Sequence, residues 1–534
     1  MKNKIINKID TNNKLFTILI FIIFFIPRII GLGFDTWNVD AMRWNIRSDK
    51  FINAVVNGDF INTYQRYHPG VTLMWLSGLS KKLFFTLFKF IYGYNIQVDE
   101  GYVYPEKFFI SVFFAKLPLI ITISLTLTIS IYLLKKLKIS TWYLLLFAIL
   151  LSIEPYFLGI TRFYHLTGLE TGFTFLAIIT TYYAMHTNKN KYLLLSGLVL
   201  GLGMLTKISA IVALPFMEII IFIPFIKNRT KENFITFVLN TLYILSTSIS
   251  TFIVLFPSMW VEPINTLKKI YSLGLEHTGF YDGKHRSIID NKFTYYYEIF
   301  ITKTTALTII SLLGSFYFIR KEKSKITKSI LVVAILYIIY YITIMSFPSK
   351  EMMRYILVVY PFAILLSSYF IYNIFKISSK TVKIFLTIFI FIYFTAWAWI
   401  LYPDFSTIHS DLLGGYTGYS HINKLYNDGE HYLQIARYMN NTYKDKAYDY
   451  AIVVTADNRD VSVQQGFLGN AAYKDSLIKK DYAKLFYTVE YNDLNLLPDN
   501  CKYIKGFGHR WPDKFNFVYL YECPISSYHF SDED

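Results

Sequence analysis

Apolar runs of about twenty residues, parted by short basic stretches, recur along most of this chain. The first reads "LFTILIFIIFFIPRIIGLGF" (15–34) and the last "LTIFIFIYFTAWAWIL" (386–401). Roughly 20 apolar residues suffice to cross a bilayer as a helix. The pattern predicts about eleven spans, near 14–34, 107–134, 141–158, 168–186, 191–206, 208–226, 233–256, 304–319, 329–347, 354–375 and 381–402. Between the fifth and sixth stands only "LTKIS". Glycines 197, 201 and 203 give the fifth a small-residue face for close helix packing. No small-residue cleavage site follows the first run, which therefore reads as a retained anchor.

The connections alternate in character. The N-terminal tail, "KKLK", "NKNK", "KNRTKE", "RKEKSKITK" and "KISSKTVK" are short and basic, with about 20 Lys/Arg against 3 acids, which is the positive-inside signature of cytoplasmic loops. The opposite side receives loop 35–106, loop 154–167, loop 257–303, a short loop at 348–353 and the tail from 403. An odd number of spans puts that tail outside the cytoplasm. The formal net charge of +16 is thus spent on topology, and a nucleic-acid footprint is not needed to explain it. The 54% hydrophobic and 19% aromatic content fits a multi-pass membrane protein in contact with membrane lipids.

Two outer-loop segments change period to that of surface helices. In "NVDAMRWNIRSDKF" (38–51), Asp40, Arg43, Arg47 and Lys50 fall on one helical face, and Val39, Met42 and Ile46 on another. One reading is an amphipathic helix lying on lipid; the other is an acid/base beside a cationic clamp. The second segment follows "YHPGVT", whose His68 precedes a Pro-Gly turn, and is apolar with Lys81, Lys82 and Lys89 interrupting. Beyond 403 the chain reads as soluble. "GEHYLQIARYMNN" predicts a helix, and "DYAIVVTAD", "KLFYTVEY", "KYIKGF" and "FVYLYEC" predict strands. Two domains are expected, a membrane domain over 1–402 and a small extracytoplasmic α/β domain over 403–534. Cys501 and Cys523 are the only cysteines and border two predicted strands in the tail, so a disulfide between them is expected.

Ionisable residues gather at the outer span ends. Arg162, His165 and Glu170 lie in "TRFYHLTGLETGF", Lys207 closes "GLGMLTK", His277, His285 and Arg286 fall in loop 257–303, and Lys350 and Arg354 in "SKEMMRY". Such residues at membrane depth are functional candidates, although Arg162 could instead snorkel to headgroups. Zinc spacing, a Gly-rich phosphate loop and a Gly-x-Ser-x-Gly elbow are all missing. Outer carboxylates and cations on an apolar body suit chemistry on a lipid phosphate: Arg or Lys for the anion, a carboxylate base for a hydroxyl nucleophile.

In order along the chain, "VDAMRWNIRSDKF", "YHPGVTLMWLSG", "TRFYHLTGLETGF", "YLLLSGLVLGLGMLTK", "FPSMWVEP", "YYYEIFITKTT", "KEMMRYILVVYPF" and "LLGGYTGYSHIN…GEHYLQIARYMN" resemble the GT-C type membrane glycosyltransferases. That group includes the protein O-mannosyltransferases and the aminoarabinose transferase of lipid A, and the resemblance is nearest to family 39-like, phospholipid-carrier-dependent members. It implies a polytopic helical fold and transfer of a sugar from a polyprenyl-phosphate donor to a protein, glycan or lipid hydroxyl outside the cytoplasm, with inversion. It implies Asp40 as general base, with Ala41 where the family commonly has Glu, and Arg162 and His165 from an Arg-x-x-His-x-Asp pattern whose Asp is Thr167 here. Glu170 could stand in for that Asp. With the carboxylates thinned in this way, no cofactor is expected and a divalent metal is unsupported. The expected site therefore comprises Asp40, Arg43 and Glu170 as catalytic groups, and Asp35, Arg47, His68, Arg162, His165, Lys207, His285, Lys350 and Arg354 around the substrates, with Asp35 as the alternative base. A lipid-linked glycan transporter or flippase and a silent membrane assembly protein are the competing classes. Ionisable residues outside the midplane and the lack of an inverted repeat disfavour transport.

Overall fold

The computed structural model describes residues 12–94, 98–99, 102–103, 105–278, 292–348, 350–421, 429–456, 459–477 and 480–528. His285, Arg286 and the N-terminal tail lie outside the described residues. Each expected span coincides with a helix: Asn13–Ile29, Pro105–Lys136, Thr141–Ile153 with Pro155–Arg162, Leu166–Thr187, Lys191–Thr206, Ala213–Lys227, Lys231–Leu255, Ala306–Lys321, Lys325–Met345, Tyr360–Ile377 and Lys380–Leu401. Six of the described helical stretches are long and apolar enough to cross a bilayer, and eight are if each of two bent pairs is one span. Length and apolarity therefore carry fewer spans than the expected eleven. Leu166–Thr187 departs for a physical reason: it is buried nearly all round, so its faces meet protein and need not be uniformly greasy.

Burial sorts the helices by position. In the most apolar 18-residue window of Met353–Ile377, 89% of the residues are buried, which puts it at the centre, whereas in those of Lys231–Leu255 and Lys380–Leu401 only 22% are, which puts them at the rim. Asn13–Ile29 buries Phe16, Ile20, Phe24 and Arg28, a stripe at every fourth residue that ends in a charge. Lys191–Thr206 packs on Lys231–Leu255 through its glycines: a Cβ on Gly197 would come 2.4 Å from the Ile244 carbonyl, and one on Gly201 2.7 Å from that of Ser248. The backbones approach as the small-residue spacing requires.

The segment after the first span becomes helix Val39–Val56, capped by the Asn38 side chain accepting from Ala41 N at 3.0 Å. Its buried face is Ala41, Trp44, Asn45, Ser48, Phe51 and Ile52. The expected apolar face of Val39, Met42 and Ile46 is only half-buried, so the helix is seated on protein through a different side. The seat is helix Val71–Tyr92, which starts at Gly70. There φ is +64° and a Cβ would strike the Trp44 ring at 2.1 Å, so only glycine fits. Lys81, one of the lysines that interrupt this apolar segment, is buried and paired with Asp49 at 2.6 Å.

A short antiparallel ladder joins β1 (Val98–Asp99) to β2 (Tyr102–Val103). The tail forms helix Tyr432–Tyr443 and a five-stranded sheet of β3 (Tyr450–Val454), β4 (Asn470–Tyr473), β5 (Lys484–Glu490), β6 (Lys502–His509) and β7 (Phe515–Cys523), in the order β4-β3-β5-β7-β6. β3 runs parallel to β4 and β5, whereas β7 is antiparallel to β5 and β6. "YAIVV" is buried along its whole length, as a strand covered on both faces must be. β4, too short and mixed to show a period, was not visible in the sequence. Cys501 and Cys523 are joined as a disulfide with a Cα separation of 4.3 Å, next to the β6–β7 register pair Lys502 and Glu522.

This sheet domain grips the linker that leads to Asp40. Trp37 Nε1 donates to Gln465 Oε1 at 2.8 Å, the Ser462 hydroxyl donates to the Trp37 carbonyl, Gln434 donates to the Phe34 carbonyl, and Thr36 Oγ1 donates to Asp404 Oδ1 at 2.7 Å.

Candidate active site

Asp40 occupies the first turn of helix Val39–Val56, where the helix dipole favours a carboxylate. Its Oδ2 accepts from Arg354 Nη2 at 2.5 Å, and His165 Nε2 lies 3.9 Å from the same oxygen. Oδ1 has no hydrogen-bond partner among the described residues, and the side chain remains 36% exposed. Burial pushes the Asp40 carboxyl up, but the charges of Arg354, His165 and Arg43 and the Arg354 hydrogen bond outweigh it. The group is held below the ordinary carboxylate range.

His165 precedes helix Leu166–Thr187, and its Nδ1 accepts from the Thr167 backbone N–H at 3.3 Å. The neutral ring then carries its proton on Nε2, the nitrogen that faces Asp40. Burial first, and Arg354 next, keep this histidine well below its usual range. His68, at the Pro-Gly turn, is pushed down the same way, by burial and then by Lys207, Lys350, His165 and Arg354. Lys350 Nζ donates to Tyr67 OH at 3.0 Å. The Arg47 guanidinium lies 4.6 Å from the Trp44 ring centroid and is pushed down to about 10 by burial and by Arg66. Arg43 is exposed one turn beyond Asp40. Residues from four distant parts of the sequence thus converge into one cation-rich mouth with Asp40 at its rim.

Two expected site carboxylates have other partners. Asp35 is buried, with Oδ1 accepting from Lys116 Nζ at 2.8 Å and Oδ2 from Arg162 Nε at 3.0 Å. Both oxygens are taken up by buried cations, the geometry of an anchor for this corner of the fold. Arg162, expected beside substrate, is committed to that anchor and to the Pro27 carbonyl. Glu170 is also buried, accepting from Lys207 Nζ at 2.9 Å and from the Ser209 hydroxyl. Its two oxygens are thus taken up by Lys207 and Ser209; it fixes Lys207, whose ammonium lies 3.8 Å from the Tyr355 ring centroid.

Lys116, Tyr67, Tyr355 and Ser209 were missed in the sequence. Lys116 left a signal, a lone lysine inside an apolar run; the others look like ordinary residues at span ends. A chamber of about 60 Å³ adjoins the site, lined by Arg354, Lys303, Glu351 and Glu430 among others. Among the described residues no cluster of three His, Cys, Asp or Glu side chains could hold a metal ion.

Residues 109–252 match the family model described as dolichyl-phosphate-mannose-protein mannosyltransferase. No curated protein matches significantly. Among solved structures, apo ArnT from Cupriavidus metallidurans is similar at a TM-score of 0.52 and 9% identity, over 97% of this chain and 99% of that one. ArnT bound to undecaprenyl phosphate is matched at a TM-score of 0.48 and 10% identity, over 97% and 99%. The protein O-mannosyltransferase Pmt1-Pmt2 complex of S. cerevisiae bound to the sugar donor is matched at 0.35 and 15% identity, over 49% and 35%. The multi-pass helical body with its small C-terminal sheet domain is thus similar in fold to ArnT.

Proposed function

We propose that this protein is an inverting glycosyltransferase that moves a sugar from a polyprenyl-phosphate carrier to an acceptor hydroxyl on the extracytoplasmic face of the membrane. The carrying observation is Asp40, a carboxylate kept ionised at the rim of a cation-rich mouth, with one oxygen fixed by Arg354 and the other without a hydrogen-bond partner among the described residues. In the reaction Asp40 Oδ1 takes the acceptor proton as the hydroxyl oxygen bonds to the anomeric carbon. The bond from that carbon to the carrier phosphate oxygen breaks, and polyprenyl phosphate leaves as an anion. A single displacement inverts the anomeric centre. Lys350 and Arg354, with neutral His68 beside them, border the place where the leaving charge grows, which is where preorganised cations count most. Arg43 and Arg47 border the acceptor side.

The orientation rests on charge. Lys135, Lys136, Lys227, Lys231, Arg320, Lys321, Lys325, Lys376 and Lys380 sit at the helix ends away from this mouth. The tail's cysteine pair suits an oxidising exterior. The test is transfer from a radiolabelled polyprenyl-phosphate sugar in membranes carrying the full chain. Release of carrier phosphate by the wild type, with a roughly 10²–10⁴-fold loss in Asp40→Asn at unchanged expression and thermal stability, supports the reading. An Asp40→Asn variant as active as the wild type overturns it.

A further inference from the structure

Lys303 ends helix Lys292–Lys303, where the chain turns by 114° into Ala306–Lys321. The turn is pinned from three sides. Ser410 N donates to the Thr302 carbonyl at 2.7 Å, Tyr360 OH to the Lys303 carbonyl at 3.0 Å, and Thr305 N to Glu154 Oε1 at 3.0 Å. The backbone around Lys303 is thus fixed, and the residue is only 6% exposed. Yet its ammonium makes no hydrogen bond and no ion pair among the described residues. Its neighbours are the Tyr156 ring, with the centroid 6.0 Å away, and the Glu430 carboxylate, near enough for the two charges to interact without forming an ion pair. Burying an ammonium without an acceptor is costly, so a rigid turn that holds one there calls for an acceptor brought by a ligand.

Lys303 lines the chamber of about 60 Å³ beside Asp40, together with Tyr156, Glu351, Arg354, Ser406 and Glu430. At about 10–15 Å³ for each water-sized group, the chamber is too small for a whole sugar ring and large enough for two adjacent carbons with their oxygens. Glu430 is 7% exposed, and the Ser406 hydroxyl donates to its Oε1 at 3.2 Å. Arg354 is a wall common to the chamber and the mouth, since it also donates to Asp40 Oδ2. A group that enters the chamber therefore lies next to the proposed base.

Within the transferase reading of the Asp40 mouth, on which this rests, we infer that the chamber seats the hydroxyl edge of the transferred sugar and selects an uncharged sugar, the Lys303 ammonium donating to that edge and the Glu430 carboxylate accepting from it. An ammonium only donates and a carboxylate only accepts. A hydroxyl does both, so a pair of sugar hydroxyls bridges the gap that the two side chains leave between them. A uronate would satisfy Lys303 and be repelled by Glu430. An amino sugar would satisfy Glu430 and be repelled by Lys303. In an enclosed site such repulsion is weakly screened. The acceptor has the open side of the mouth, by exposed Arg43, and the enclosed chamber is left to the sugar.

The test is equilibrium binding, to the full chain in detergent, of polyprenyl phosphate alone and of polyprenyl phosphate bearing a neutral hexose, the corresponding uronic acid or the corresponding amino-deoxyhexose. The neutral donor should bind about 10–100-fold tighter than either charged one, the range of a lost hydrogen bond to a charged group. The same order should hold in Asp40→Asn, which removes transfer and leaves the chamber intact. Lys303→Met should weaken the neutral donor and turn the preference toward the amino sugar. Glu430→Gln should turn it toward the uronate, with polyprenyl phosphate alone bound equally in all. The wild-type series decides even where a variant fails to fold. Equal binding of the three donors, tighter binding of a charged one, or an order unchanged in both folded variants would overturn the assignment. Selective binding of the neutral donor without any transfer would support the chamber and sink the transferase reading.

Discussion

Arg354 Nη2 lies 2.5 Å from Asp40 Oδ2, a contact between residues 314 positions apart. It fixes the rotamer of the proposed base and sets its protonation. Asp40 is held below the ordinary carboxylate range chiefly because Arg354 overcomes burial. In Arg354→Gln the burial contribution remains and the opposing charge is gone. The acidic limb of the kcat/KM profile should therefore move to higher pH than in the wild type. A limb at the same pH in both proteins would show that Asp40 is not the titrating group.

Asp35 and Asp40 are five residues apart and should fail in different ways. Asp35→Asn leaves Lys116 and Arg162 buried without their shared counter-charge, a loss of about 3–5 kcal/mol. It should lower the melting temperature and the yield of inserted protein. Asp40→Asn should leave both nearly unchanged and remove transfer. Comparing thermal stability with turnover in the two variants separates anchor from base.

Donor affinity should follow the cations at the mouth. Lys350→Ala should cost roughly 1.5–3 kcal/mol in donor binding, the range for hydrogen bonds to charged groups. Arg162→Ala should act mainly on stability, since Arg162 is spent on Asp35. Equilibrium binding of a fluorescent polyprenyl-phosphate sugar beside thermal melts measures both.

The seam between sheet domain and membrane helices should loosen in acid. His409 and His509 are both buried there, and His509 Nε2 is 2.8 Å from Thr407 Oγ1. Burial, then the Lys303 charge, pushes His409 well below its usual range; burial also lowers His509 despite Asp513. The unfolded state then binds more protons than the folded one near and below the ordinary histidine value of about 6.5, so stability is present above that pH and is lost as pH falls through it. Hydrogen exchange at pH 7.5 and 5.5 should show loss of protection around 405–410 in acid, smaller in His409→Gln.

The Cys501–Cys523 bridge closes a sequence separation of 22, worth on the order of 3 kcal/mol by the chain-entropy estimate. The Cys501→Ser, Cys523→Ser double variant should melt its sheet domain earlier while the helices persist. Non-reduced peptide mass spectrometry of protein from its host should find the linked pair.

Local pattern was enough for much of this molecule. Apolar runs and basic stops give the helices, because a backbone in lipid must satisfy its own hydrogen bonds. The glycines at 197, 201 and 203 announced close packing on a neighbour, which the fold supplies as Lys231–Leu255, and the segments of β3, β5, β6 and β7 read as strands. Asp40, His165 and Arg354 were each legible as ionisable residues at span ends.

Their partners were not. Nothing in the spacing says that Arg354 reaches Asp40, that Lys116 and Arg162 share Asp35, or that Lys207 closes on Glu170. Local sequence periodicity tells which face a residue occupies on its own element, whereas a charge's role depends on which other element packs opposite. Val39, Met42 and Ile46 show the same limit: they form an apolar face, yet Trp44 over Gly70 decides which side of the helix is seated. The sequence by itself determined a multi-pass helical body, a sheet domain after it and the candidate ionisable groups. Only the tertiary structure decided which of those charges is spent on another and which is left to meet a substrate.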